Sequence, residues 1–275
     1  MDKIGIIGNG FVGSAVAYGF GTSNHSCPEK CQVKIYDKNP QNSVDSFEDT
    51  VDSSDFLFVG VPTPPKDDWD IDLSIVDGVV REISEMSKDK IIVIKSTVLP
   101  GTCRSLSEKY GVRVVSNPEF LTERRAKWDF INSAQILIGA DNPEDGEKVR
   151  GIYENRFTSV KYLMTNTVTT EFIKYLLNCY FSVRLSFLNE AKQVAEQIGA
   201  DWDKAIQGFV GDSRAGDSHT NIPGPDGKPG FGGKCFPKDL QAFIHFIEKL
   251  GVDPLVMNGA WNKNIEVRGE PSYDY

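Results

Sequence analysis

The chain has 275 residues, of which 40% are hydrophobic and 25% charged, and it carries a net charge of −9. This composition implies a packed globular protein of one large or two smaller domains. The acidic balance disfavours nucleic acid as the main partner, because phosphate binding needs a net basic surface, and no apolar run reaches the length of a membrane span. The apolar start, Ile4 to Ile7, is interrupted by Gly5 and Gly8 and is too short for a signal-peptide core. The expected location is therefore cytoplasmic, with Cys27, Cys31, Cys103, Cys179 and Cys235 reduced.

In chain order, short β-branched runs predict strands at 3–7, 33–36, 56–59, 91–94, 112–115 and 136–138. Helical spacing fills most of the intervals, notably 73–86 and 143–154. Strands without polar alternation, separated by helices, predict a doubly wound parallel sheet covered on both faces. From Thr167 to Ile198 there is neither proline nor glycine. Phe172, Leu176, Cys179, Tyr180, Val183, Phe187, Ala191 and Val194 recur at helical spacing, which predicts one long helix stopped at Gly199. Shorter helices are expected at 202–209, 236–250 and 254–267. Residues 211–233 form a glycine- and proline-rich loop, and 268–275 a loose tail. The fold expected is α/β: a dinucleotide-binding domain over 1–165, then a mostly helical domain over 166–275.

Gly8, Gly10 and Gly13 give the spacing G-x-G-x-x-G between the first strand and a helix that starts at Phe11 and Val12. Asp37 ends the next strand, 24 residues after Gly13. This strand–turn–helix setting is what a dinucleotide-binding fingerprint requires. The glycines admit a pyrophosphate at the helix N-terminus, and the acid accepts the ribose hydroxyls. Asp37 favours NAD over NADP, while the adjacent Lys38 leans weakly the other way. Far downstream, Gly232-Gly233-Lys234-Cys235-Phe236-Pro237-Lys238-Asp239 displays one thiol between a glycine pair and a proline, with charges close by. That setting marks Cys235 as a candidate nucleophile; the alternative is a small buried residue.

The chain resembles the UDP-glucose/GDP-mannose dehydrogenase family. The resemblance rests on six segments in order: Gly8 to Gly13, Val61-Pro62-Thr63-Pro64, Lys95-Ser96-Thr97-Val98-Leu99-Pro100-Gly101-Thr102, Asn117-Pro118-Glu119-Phe120-Leu121, Glu171 to Asn178, and the Cys235 loop. It implies an NAD-dependent oxidation of a nucleotide-sugar primary alcohol to the carboxylate, through a thiohemiacetal and a thioester on Cys235. It further implies that Lys174 and Asn178 stabilise charge on the reacting oxygen. On spacing alone this i,i+4 pair is a solvated helix face. The resemblance also makes Thr97 the group that orients water or the sugar hydroxyl, Glu119 a base or water-positioning carboxylate, and Asp239 a group that holds water. Pro62, Thr63 and Glu123 fall to the cofactor, with Glu123 near the nicotinamide or else in a helix cap. Phe120, Leu121, Phe231 and Gly232 fall to the substrate. Arg214, in Asp212-Ser213-Arg214-Ala215-Gly216, matches an arginine that reaches substrate across a homodimer interface, although Ala215 departs from the usual isoleucine.

Family members continue into a third α/β domain that covers the nucleotide, and the present sequence stops where that connection would begin. UDP-glucose is the expected substrate. Leu99-Pro100 leans toward GDP-mannose as an alternative. A non-catalytic NAD-binding scaffold and a β-hydroxyacid-type dehydrogenase are two others, and the second has no use for the Cys235 loop. The segment 223–230 is a candidate partial cover for the site. No metal is expected: His25, Cys27 and Cys31 lack a fourth ligand, and Asp67 to Asp72 lacks the EF-hand pattern and reads as solvated.

Overall fold

The computed structural model describes residues 2–21, 31–157 and 160–269. His25, Cys27 and the tail from 270 lie outside them. Seven strands form one sheet: β1 (Asp2–Ile7), β2 (Cys31–Tyr36), β3 (Phe56–Val59), β4 (Ile91–Ile94), β5 (Arg113–Ser116), β6 (Gln135–Ala140) and β7 (Lys161–Thr165). The helices are α1 (Phe11–Phe20), α2 (Phe47–Asp52), α3 (Ser74–Met86), α4 (Thr102–Tyr110), α5 (Ala126–Ile131), α6 (Pro143–Glu154), α7 (Thr167–Ile198), α8 (Trp202–Gly211), α9 (Phe236–Lys249) and α10 (Leu255–Arg268), with a 3-10 turn at Glu123–Arg125.

The strand order is β2-β1-β3-β4-β5-β6-β7. All neighbours are parallel except β5 and β6, which run antiparallel with Ser116 opposite Gly139. The doubly wound parallel sheet expected from the sequence is present, with this one antiparallel pairing in it. A strand buried on both faces has the same apolar pattern in either direction, and the connection decides its sense. β7 escaped prediction because Lys161-Tyr162-Leu163-Met164-Thr165 is short and begins exposed. Successive residues of β1, β3, β4 and β5 enter opposite cores. Ile4, Ile6, Phe58 and Val93 pack with Val16, Phe20 and Tyr153 on one face. Ile7, Leu57, Val59, Ile92 and Ile94 pack with Val76, Val80, Ile83 and Leu106 on the other.

The chain divides into two compact units, 1–64 with 71–174, and 65–70 with 175–275. The division falls inside α7, between Lys174 and Tyr175. In the second unit Tyr175 stacks on Phe243 of α9 with centroids 5.2 Å apart. Trp69 meets Trp261 of α10 edge-on at 5.5 Å. Asp70 pairs with Lys249 at 2.8 Å and is only 17% exposed, so this member of the acidic run is not solvated as expected.

α7 is the long helix that the sequence predicts, but its faces differ from the expected stripe. Phe172, Leu176, Tyr180, Phe187 and Val194 are exposed, whereas Tyr175, Cys179, Leu185, Leu188 and Ala195 are buried. A seam of buried polar residues, Thr167, Glu171, Lys174, Asn178, Ser182, Ser186 and Asn189, runs along the helix at spacings of three and four. Such spacing keeps all seven on one side.

Candidate active site

The sheet reverses its winding direction at β1, since β2 lies on one side of it and β3 to β5 on the other. Ligands of open α/β sheets bind beyond the carboxyl ends of the strands at such a switch point. The sequence motifs lie there. Gly8 to Gly13 follow β1, Asp37 follows β2, Val61 to Thr63 follow β3, Lys95 to Thr97 follow β4, and Asn117 to Glu119 follow β5.

Two glycines of the first turn are required by packing. Gly8 has a φ of +92°, and a Cβ there would lie 2.6 Å from the Gly60 carbonyl oxygen. At Gly13 a Cβ would fall 1.8 Å from the Gly8 carbonyl oxygen. Gly10 is different: a Cβ would meet no protein atom within 4 Å. Gly10 is also the N-cap of α1, and no side chain caps the helix there. Asn9 Oδ1, in the same turn, is buried without a hydrogen-bond partner. Asp37 Oδ2 accepts from the Asn9 amide at 2.6 Å and Oδ1 from the Asn39 amide at 2.7 Å. These contacts hold the carboxylate against the glycine turn, with lone pairs left over. Open space over Gly10, uncapped amides and a fixed acid fit a dinucleotide. Phe11 and Val12 are half-buried in the first turn of α1, and Lys38 is exposed.

Ser96 Oγ donates to the Val61 carbonyl at 2.7 Å, which joins the segment containing Thr97 to that containing Pro62 and Thr63. Thr63 is buried, Pro62 exposed and Thr97 half-buried. Gly101 caps α4 in a left-handed conformation without a side chain of its own. Glu171 supplies the cap from α7, accepting from the Gly101 amide at 2.6 Å and the Cys103 amide at 2.7 Å. Burial raises the Glu171 carboxyl above its ordinary range against the pull of those amides.

Lys174 and Glu119 form a buried pair. Lys174 Nζ donates to Glu119 Oε1 at 3.0 Å and to the Glu119 carbonyl at 2.6 Å, with side-chain exposures of 5% and 7%. Glu119 Oε2 accepts from the Leu121 amide at 2.6 Å. The Phe120 ring, itself exposed, lies 5.2 Å from Lys174 Nζ. Glu123 is exposed in the 3-10 turn. Lys95 is buried and donates to Asn117 Oδ1 at 3.1 Å, an acceptor shared with the Tyr153 hydroxyl at 2.6 Å.

In the second unit, Asn178 Nδ2 donates to Asp239 Oδ2 at 2.5 Å, and Lys238 pairs with the other oxygen. All three are buried. The solvated-face alternative for Lys174 and Asn178 is thereby corrected. Cys235 is exposed, so it is not core filler. It is the N-cap of α9, with Pro237 in the first turn, and its carbonyl accepts from the Asp239 amide at 2.8 Å. The preceding loop is held by two buried amides. Asn189 Oδ1 accepts from the Gly230 amide at 3.1 Å, and Asn264 Oδ1 from the Phe231 amide at 2.7 Å. Phe231 is buried and Gly232 half-buried, with Arg268 directly against Gly232. Arg268 also holds the Pro229 carbonyl at 3.0 Å and pairs with Asp226, which fixes the 223–230 segment onto α10. Arg214 is exposed and pairs with Asp212, two residues before it.

Sequence reasoning missed Glu171 as a cap, the Lys95–Asn117–Tyr153 network, and Asn189, Asn264 and Arg268 as supports of the loop. One signal was available: Lys95 directly follows four apolar strand residues and precedes Ser96-Thr97. Cys103 and Cys179 are buried. Among the described residues no cluster of three or more His, Cys, Asp or Glu could hold a metal ion, and no helix is long and apolar enough to cross a membrane.

Comparison with known proteins gives one consistent result. The sequence model described as the UDP-glucose/GDP-mannose dehydrogenase family, NAD binding domain, matches residues 32–157, and that of the family's central domain matches 168–266. A UDP-glucose 6-dehydrogenase of Rickettsia typhi is 33% identical over 294 residues, covering 95% of this chain and 66% of that protein. One of Rickettsia bellii is 32% identical, covering 96% and 67%. The structure of a UDP-glucose dehydrogenase from Pyrobaculum islandicum superposes with a TM-score of 0.86 at 28% identity, covering 97% of this chain and 68% of that one. A 3-hydroxyisobutyrate dehydrogenase of Mycobacterium tuberculosis shares the fold at 17% identity and a TM-score of 0.75, covering 99% and 97%. The chain thus spans about two thirds of the length of the curated relatives it matches.

Proposed function

Because the chain belongs to the UDP-glucose/GDP-mannose dehydrogenase family, a family whose NAD-binding domain implies NAD as cofactor, we propose that it oxidises the primary alcohol of a nucleotide sugar to the carboxylate, with UDP-glucose as substrate. The observation that carries this reading is the exposed Cys235 at the N-cap of α9, one turn before an Asp239 that is buried and bonded to Asn178.

Bound at the glycine turn, NAD would supply the hydride acceptor, one molecule for each of the two oxidation steps. Gly8, Gly10, Gly13 and Asp37 bind it, with Phe11, Val12, Lys38, Pro62, Thr63 and Glu123 around it. After the first oxidation the Cys235 sulfur adds to the aldehyde carbon, giving a thiohemiacetal. Loss of hydride from that carbon gives the thioester. Water then adds and the sulfur leaves as the carboxylate forms. Asn178 and Lys174 donate to the oxygen that becomes negative in the tetrahedral species. Thr97 orients the hydroxyl or the water. Glu119, paired with Lys174, positions water, and Asp239 holds Asn178 in place. Phe120, Leu121, Phe231, Gly232 and Arg214 contact the substrate. A homodimer in the cytoplasm completes the proposal, supported by the exposed apolar face of α7.

The test mixes the full chain with NAD and a panel of sugar nucleotides and follows NADH. Two NADH per UDP-glucose, abolished by Cys235→Ser, are expected. Turnover of GDP-mannose alone would replace the substrate. One NADH from a hydroxyacid, insensitive to Cys235→Ser, would replace the reaction class. NAD binding without turnover of any substrate would leave a scaffold.

A further inference from the structure

Lys95 is a buried amine that the proposed reaction leaves without a task. It directly follows β4 and is 5% exposed. Its surroundings all belong to the first unit. Phe130 of α5 presents its ring 5.9 Å from Nζ. Asn117, just beyond β5, offers Oδ1 at 3.1 Å, and Tyr153 of α6 donates to that same oxygen at 2.6 Å. Asn117 cannot turn its amide to relieve this, because Nδ2 already donates to the Leu137 carbonyl at 2.6 Å. An ammonium carries three donors, and a buried site with one shared protein acceptor disfavours it. The charges that act on Lys95 are Glu119, which favours the protonated form, and Lys174, which opposes it. Burial outweighs both and lowers the Lys95 pKa to about 7.

We infer that Lys95 is a positioning residue that sets the net charge around the Glu119–Lys174 pair, because the buried side chain it bonds, Asn117, lies two residues before the buried carboxylate that Lys174 pairs with. With Lys95 neutral, Glu119 and Lys174 balance each other. With Lys95 protonated, the same pocket holds one surplus positive charge. That charge attracts the Glu119 carboxylate and favours an anionic oxygen on a ligand bound there. Near neutrality the pocket therefore changes charge by one proton. Only the benefit to an anionic reacting oxygen rests on the nucleotide-sugar reading; the proton equilibrium does not.

The experiment uses the full chain labelled with 15N-lysine and 13C-carboxyl glutamate. Lys95→Met assigns the Lys95 Nζ signal by its disappearance. Lys95→Gln, which keeps a donor for Asn117, serves if the methionine variant does not fold. The expected result is a Lys95 signal that titrates near pH 7, and a Glu119 carboxyl signal that moves in the same step in the parent but not in the variant. A Lys95 proton retained to the ordinary lysine range near pH 10, or a Glu119 signal silent through the Lys95 step, would overturn the inference. A second readout is the folding constant. A lysine that releases its proton early in the folded state makes stability rise with pH between about 7 and 10, approaching tenfold per unit. The parent should show that rise and Lys95→Met should lose it. If NADH is formed, the kcat profile of the parent should bend near pH 7 and that of Lys95→Met should not. If none is formed, the proton measurements still decide.

Discussion

The Asn178 amide and the Asp239 carboxylate meet at 2.5 Å in a buried site, which links the seam of α7 to the first turn of α9, four residues after Cys235. Asp239 is satisfied by this bond and by its pairing with Lys238. The link turns a loop cysteine into one with a defined support. Asn178→Leu removes one acceptor–donor bond and leaves a carboxylate oxygen buried without it, at a cost of about 1–3 kcal/mol. Asn178→Asp sets two carboxylates against each other and should be worse at neutral pH. Urea unfolding of both variants checks the order, and the idea fails if Asn178→Asp equals the parent.

The glycine turn separates folding from binding. Gly13→Ala drives a Cβ to 1.8 Å from a backbone oxygen and should destabilise by several kcal/mol or prevent folding. Gly10→Ala meets no protein atom within 4 Å, so its melting temperature should stay near the parent's while NAD affinity falls at least tenfold. Thermal melts paired with NAD titration by fluorescence measure the contrast.

The loop before Cys235 offers a graded pair. Gly230 has a φ of +71°, and its Cβ would lie 2.3 Å from Asn264 Oδ1, the acceptor for the Phe231 amide. Gly230→Ala combines left-handed strain with that clash and should cost about 2 kcal/mol or more. Gly232→Ala meets only the end of the Arg268 side chain, which can move if it gives up its pairing with Asp226. Arg268 is only 13% exposed and would also release the Pro229 carbonyl, so the cost should be about 1 kcal/mol, still below that of Gly230→Ala. The rate of Cys235 alkylation by iodoacetamide should change more in Gly230→Ala than in Gly232→Ala.

Glu171 predicts a pH dependence. Burial raises its carboxyl in the folded state, so the folded chain holds this proton more tightly than the unfolded chain. The stability it contributes therefore falls as pH rises from about 4.3, the ordinary glutamate value. Glu171→Gln should remove that slope. It should also cost about 1–2 kcal/mol at neutral pH, because one of the Gly101 and Cys103 amides loses its acceptor. Denaturation across pH 4 to 7 measures both.

Much of this was legible from sequence patterns, for identifiable reasons. β1 and β3 are apolar runs with short, clear boundaries, and α7 lacks glycine and proline over its whole length. Gly8, Gly13 and Cys235 are local, and so they can be read locally. The antiparallel sense of β6 is not, because it depends on how the segment after Ser116 returns to the sheet. Nor are Glu171 capping a helix 70 residues earlier, or Lys95 and Tyr153 sharing one oxygen of Asn117. Those pairings arise from tertiary contact, which no window along the chain contains. The exposed faces of Leu176 and Phe187 were hidden for another reason: α7 has more apolar residues than one face can hold.

The buried polar seam of α7 gives the helix a memory of its own rotation. A long helix packed only through apolar side chains can turn or slide at modest cost, since one methyl contact replaces another. α7 cannot. Thr167 is tied to Asp141, Glu171 to two amides, Lys174 to Glu119, Asn178 to Asp239, Ser186 to the Ala260 carbonyl and Asn189 to the Gly230 amide. A turn of one residue, about 100°, would strand every one of these groups at once. Rotational phase, which no residue on the helix encodes alone, is thus fixed cooperatively by bonds spread over 23 residues from Thr167 to Asn189.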